Sequence, residues 1–180
     1  MKSTIMNKLI IGGSASNPEN ADHIKIICDA MINETPIHTC LKYGNGLHLI
    51  KKCIDITRIK PKLIVKVYIN SSESWLRSSM EEQLQEIYKI IQIREIYALQ
   101  ICCNPKFNDI TGNSVFRKKL LNYKSDGMIK KLYLEVYWQY SLNMIEFLGD
   151  ELFDGYIFYH NIYLREMNTE LYRKIYHSNK

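Results

Sequence analysis

The stretch IHTCLKYGNG, Ile37 to Gly46, joins two patterns at one residue. Ile37 to Leu41 is a short run of small and apolar residues, of the kind that forms a strand buried in a sheet. Tyr43-Gly-Asn-Gly then sets a phenol at the mouth of a glycine-rich turn. Side chains that do chemistry commonly sit on loops that a rigid sheet holds in place. Whether Tyr43 is such a side chain depends on what surrounds it.

Working outward, similar runs recur with helical stretches between them. Lys8 to Gly13 reads as a first strand ending in a glycine turn, and Asn17-Pro18 as the cap and first position of a helix. Ile24, Ile27, Cys28 and Met31 follow at helical spacing, and Pro36 closes that helix. Leu47 to Ile56 predicts a second helix, with Leu49, Ile50, Cys53 and Ile54 on one side. KLIVKVYI, Lys62 to Ile69, is a third strand. Ser79-Met-Glu-Glu82 is a capping-box signature. It opens a helix whose apolar face is Met80, Leu84, Ile87, Tyr88 and Ile91. A fourth strand runs from Ile96 to Cys102 and is stopped by Asn104-Pro105. Val115 to Tyr123 is helical, and Lys131 to Val136 is a fifth strand. Ser141 caps a helix to about Asp150, Phe153 to Tyr159 is a sixth strand, and Asn168 opens a last helix.

Strict alternation of this kind means a parallel sheet covered by helices. An open doubly wound sheet and a (β/α) barrel both satisfy it. The chain lacks G-x-G-x-x-G after its first strand and has no P-loop, so the common nucleotide-binding open sheets lose support. Periodicity alone does not separate the two.

Composition narrows the partners. The 180 residues suit a single domain spanning 1–180. The net charge of +5 and pI near 8.8 come from lysines and arginines scattered among acids, not gathered on one face, which argues against nucleic acid. The N-terminal apolar run is only Leu9 to Ile11, too short for a signal core or a membrane span. Five cysteines without framework spacing read as reduced thiols in a cytoplasmic protein. No C-x-x-C pair is present, so no metal is expected.

IHTCLKYGNG resembles the aldo-keto reductase segment in which the second strand delivers an Asp and, five residues later, the catalytic Tyr. The resemblance continues in order along nearly the whole chain. LIVKVYI is similar to the strand carrying the catalytic Lys, and MEEQLQEIYKIIQIREIYALQICCNP to the helix and strand ending in a catalytic His. KKLYLEVYWQYSLNMIEFL resembles the fifth strand with its Ser-Asn loop, and LFDGYIFYHNIYLRE the sixth. The resemblance implies α/β architecture, a parallel (β/α) barrel-like assembly matching the first six units of an aldo-keto reductase TIM barrel.

In that family a tyrosine protonates a carbonyl while NADPH delivers hydride. A free phenol, with a pKa near 10, is too weak an acid to serve unaided near neutral pH. The family's lysine lowers that value, an aspartate orients the lysine, and a histidine positions the carbonyl. Tyr43 matches the acid and Lys66 the lysine, but the aspartate position is His38 and the histidine position is Cys102. His38 supplies no fixed negative charge for Lys66, and Cys102 is a weaker hydrogen-bond donor than histidine. Where the resemblance places Ser-Asn for the nicotinamide amide the chain has Tyr137-Trp138, and where it places Gln on the sixth strand it has Ile157.

A (β/α)₈ barrel takes about 250 residues, with its phosphate site in the loops after the last two strands. The sequence ends after the sixth unit, so the resemblance implies a shortened, degenerate member without the cofactor phosphate site. No cofactor is expected on this reading, and the role is non-catalytic binding or interaction. The alternative is an NAD(P)H-dependent carbonyl reductase using Tyr43 and Lys66, with NADP as cofactor and missing parts supplied by a partner chain. A small-molecule ligand suits either reading.

Three expectations concern particular groups. A lysine in the middle of KLIVKVYI either lines a polar pocket or reaches solvent, since buried lysines are rarely left unpaired. His38 and Cys102 form a Cys-His pair if both face one cavity. Tyr137, Trp138, Tyr140, Tyr156, Phe158, Tyr159 and Tyr163 gather near the fifth and sixth strands. Open first and last strands invite pairing with another chain, so a homo-oligomer or partner protein is expected unless six strands close the barrel.

Overall fold

Each strand pairs in parallel with its neighbour in sequence, and this order decides the architecture. The computed structural model describes residues 9–69, 79–103, 114–136 and 151–158. Within them lie strands β1 (Ile11–Gly12), β2 (Ile37–Thr39), β3 (Leu63–Ile69), β4 (Ile96–Cys103), β5 (Ile129–Val136) and β6 (Gly155–Phe158). The described helices are α1 (Ala21–Ile32), α2 (Gly46–Thr57), α3 (Met80–Ile91) and α4 (Ser114–Ser125). The sheet order is β1-β2-β3-β4-β5-β6.

Right-handed crossovers that all step the same way lay their helices on one face and curl the sheet, as in a barrel. A doubly wound sheet reverses once and carries helices on both faces. The order here is of the first kind, and the result is a curled half-barrel. Among the described residues β1 and β6 do not pair with each other, so these six strands do not close.

The core follows from the same alternation. Val65 and Val67 of β3, Leu99 and Ile101 of β4, and Leu132 and Leu134 of β5 are buried in one cluster with helical side chains. Those include Ile27 and Met31 of α1, Ile50 of α2, Leu84 and Ile87 of α3, and Leu120 of α4. Residues between them in sequence point to the other face of the sheet. That second face carries His38, Lys66, Gln100 and Glu135.

Most element boundaries fall where the apolar pattern puts them, and the start of α1 does not. Asn20 caps it, its side chain accepting from the backbone N–H of Asp22 at 2.9 Å and of His23 at 3.2 Å. Asn17 instead forms a turn before the helix, accepting the Glu19 N–H at 2.9 Å. Two asparagines three residues apart compete for one cap, and Asn20 is the one whose carbonyl also accepts from Ile24. The Ser79–Glu82 capping box is present in both directions. The described cysteines Cys28, Cys40, Cys53 and Cys102 are free thiols. No described helix is long and apolar enough to cross a membrane. The expected stop at Asn104-Pro105, the helices after Ser141 and Asn168, and Tyr137, Trp138, Tyr140, Tyr159 and Tyr163 lie outside the described residues.

Truncating Leu99, fully buried in the central strand, should cost about 2–5 kcal/mol as Leu99→Ala. Ser79→Ala should cost about 1 kcal/mol through the lost cap. Urea unfolding measures both, with the midpoint moving and the slope unchanged.

Candidate functional site

The glycines after Tyr43 serve two separate needs. Gly44 adopts a left-handed φ of +53°. A Cβ on Gly46 would lie 2.5 Å from the Gly13 carbonyl oxygen, so the chain leaving β1 passes too close for any side chain. Gly13 in turn donates its N–H to the His38 carbonyl at 2.8 Å. The turn is tied by Tyr43 N–H to the Cys40 carbonyl at 3.2 Å and by Gly46 N–H to the Tyr43 carbonyl at 2.9 Å. The Gly-Asn-Gly stretch therefore holds Tyr43 at the end of β2, beside His38.

Strand register brings the other groups to the same face. His38 pairs with Ile64, Lys66 with Gln100, Gln100 with Tyr133, and Tyr68 with Cys102. Paired residues of a parallel sheet share a face, as do residues two apart along a strand. His38, Lys66, Tyr68, Gln100, Cys102 and Glu135 thus line one surface across four strands.

Lys66 is only 5% exposed, and its ammonium straddles the Glu135 carboxylate, 2.8 Å from Oε1 and 2.7 Å from Oε2. Gln100 donates its amide to Oε2 of Glu135 at 2.6 Å. Of the two expected positions Lys66 does not take the solvent-reaching one: it lies on the polar face of the sheet, paired with Glu135. Burial alone would push Lys66 toward losing its proton, but Cys102, Glu135 and Tyr68 outweigh it and hold the ammonium above the usual lysine range.

Tyr43 is bonded elsewhere. Its hydroxyl lies 3.2 Å from His38 Nδ1, with the two rings edge to face at 5.5 Å. Burial, then the charge of Lys66, hold His38 below its ordinary value and so neutral. Lys66 lies against the phenol ring of Tyr68, whose centre is 4.9 Å from the ammonium. Burial raises the Tyr68 pKa more than Lys66 lowers it.

Of the four sequence-predicted residues, His38, Lys66 and Cys102 share one face of the sheet, and Tyr43 stands in the turn after β2. Tyr43 pairs with His38, and Lys66 pairs with Glu135. Cys102 is buried beside Lys66 and its charge would favour the ammonium. The expected Cys-His pair does not form, because His38 Nδ1 faces Tyr43 and Nε2 has no hydrogen-bond partner. Glu135 and Gln100 were not foreseen. One signal pointed to Glu135, the only acid within the six strands and on the alternate positions from Leu132 and Leu134.

A groove of about 530 Å³ between α3 and α4, lined by Leu84, Tyr88, Arg94 and Tyr123 among others, lies on the helix side of the sheet and holds none of these groups. No cluster of metal-ligating side chains occurs among the described residues.

No protein-family model matches the chain, and no curated protein does. Solved structures do. A putative aldo-keto reductase from Pseudomonas aeruginosa superposes on 96% of this chain and 70% of its own, with a TM-score of 0.68 at 15% identity. A glycerol dehydrogenase from Gluconobacter oxydans covers 96% of this chain and 57% of its own, with a TM-score of 0.68 at 14% identity. An aldo-keto reductase from Klebsiella pneumoniae in complex with NADPH covers 94% and 60%, with a TM-score of 0.64 at 14% identity. The chain thus has the fold of the aldo-keto reductases and spans 57–70% of the length of these three.

Glu135→Leu should destabilise the protein by about 3–5 kcal/mol, because it strands the Lys66 charge. The double variant Lys66→Met, Glu135→Leu should recover most of the loss in urea unfolding. His38 supplies a separate pH dependence. Its folded pKa is below the ordinary 6.5, so the unfolded chain binds the extra proton. Stability should be full above about pH 6.5 and fall as the pH drops below it. His38→Asn should flatten that slope between about pH 7 and 5.5, above the range where carboxylates titrate.

Proposed function

We propose that this chain is a non-catalytic binding domain on the aldo-keto reductase fold, its concave polar face taking a small molecule without reducing it. The observation that carries the reading is the destination of the Lys66 charge. A reductase of the kind the sequence resembles needs a lysine that acidifies the phenol. Here the ammonium is neutralised by Glu135, and the phenol it touches is Tyr68, with a raised pKa. Tyr43 meets a neutral histidine, which stabilises a phenolate far less than a cation would.

The fit of a nicotinamide cofactor is also poor at the one expected contact that is described. Ile157 on β6 stands in register with Glu135 and offers no hydrogen-bonding group. The Tyr137-Trp138 positions lie outside the described residues. The reductase alternative draws support from Tyr43 touching His38 on the sheet face that carries Lys66, and from the NADPH bound in the Klebsiella structure of like fold.

Titration with NADPH, followed by cofactor fluorescence and thermal shift, separates the two. The binding-domain reading expects no saturable signal up to about millimolar cofactor and no stabilisation. Saturation at micromolar NADPH, with turnover of a carbonyl that falls by about 10² or more in Tyr43→Phe, would establish the reductase instead.

A further inference from the structure

The geometry points to the groove between α3 and α4 as a second binding site, one that takes a small carboxylate with an apolar body. The groove lies on the helix side of the sheet, so this site is separate from the polar face.

Its shape follows from the pattern of α3. Glu81, Leu84, Tyr88 and Gln92 recur at steps of three and four residues, which places them along one face of the helix. Leu84 is 2% exposed and joins the core, whereas Tyr88 is half-buried. Tyr123 of α4 and Met128 before β5, both half-buried, complete the apolar lining. The volume of about 530 Å³ falls in the range of small-molecule sites, about 300–1,000 Å³.

The charges of the lining give the ligand its sign. Glu81 is the only acid among the lining residues, and its carboxylate is bridged to Lys119 of α4. Lys89 makes a 4.0 Å contact with Glu86 of its own helix, and exposed Arg94 makes no ion pair among the described residues. The uncompensated charge of the groove is therefore positive.

Tyr88 adds a second anchor. Its hydroxyl is buried and has no hydrogen-bond partner. Such a group is destabilising, and phenylalanine would fill the same space without that cost. A ligand oxygen seated against Tyr88 gives the hydroxyl an acceptor.

The end of the helix selects the kind of anion. Gln92 caps the C-terminus of α3, so the groove lies at the negative end of that helix dipole. A doubly charged phosphate is disfavoured there. A carboxylate carries one charge, and its plane matches the guanidinium of Arg94 with two parallel hydrogen bonds.

Calorimetric titration with 1-naphthylacetate tests the site, with ¹H–¹⁵N spectra of labelled protein to locate the probe. Saturable binding with a Kd below about 1 mM is expected, with shifts at Tyr88, Arg94, Tyr123 and Met128. The neutral amide, 1-naphthylacetamide, should bind about tenfold more weakly, and so should the acid to Arg94→Gln or Tyr88→Phe. Neither residue is fully buried, and thermal unfolding checks that both variants fold. No saturation at about 10 mM overturns the proposal. So do equal affinities for acid and amide, or shifts confined to the polar face around His38 and Lys66. An Arg94→Gln variant that loses stability but keeps its affinity makes Arg94 a balance to the helix dipole alone, and overturns it too. NADPH titration reads the polar face, so this site and the functional reading fail separately.

Discussion

A charged lysine side chain in the middle of a sheet is tolerated only where its charge is answered. Removing an ammonium from water costs several kcal/mol even after relaxation, and a misplaced partner does not return it. The Lys66–Glu135 pair meets that requirement from two strands that are not neighbours. It reaches over β4, where Gln100 donates a further hydrogen bond to the carboxylate. Three strands must hold their register for these groups to meet. The polar face of the half-barrel is organised around that constraint, and His38 and Tyr43 take their places at its edge.

The same pair explains how the face differs from the one its sequence resembles. His38 brings no fixed negative charge to Lys66. Glu135 supplies the negative charge from the opposite direction and draws the ammonium toward β5. The Tyr43 hydroxyl meets His38 of β2, and the Lys66 ammonium of β3 meets Glu135 of β5. A counter-ion two strands away can keep a buried lysine paired, and with it the fold.

The outer face obeys simpler rules. Its helices carry apolar stripes that meet the alternate strand residues in one cluster, and non-directional burial suffices to hold them. That layer was legible in the residues. The positions Leu49, Ile50 and Cys53, or Leu84, Ile87 and Ile91, are buried where helical spacing puts them. The α1 cap was misread because Asn17 and Asn20 both have the right chemistry, and only the path of the turn selects between them.

Local pattern by itself determined six strand segments, most of the described helices, Lys66 in mid-strand, and His38, Tyr43 and Cys102 on or just beyond strands. Periodicity is a property of neighbouring residues, so it survives in one dimension. Strand order and pairing were decided only in three dimensions. Lys66 and Glu135 are 69 residues apart, and Gln100 and Glu135 are 35. The rule that a buried lysine must be paired was available from the sequence, and the acid within a strand was visible at Glu135. Which acid answers which lysine depends on register and sheet curvature, and those are set by the packing of the whole layer. A hydrogen bond of defined direction between such groups is therefore a tertiary fact, even when each of its atoms is written in the sequence.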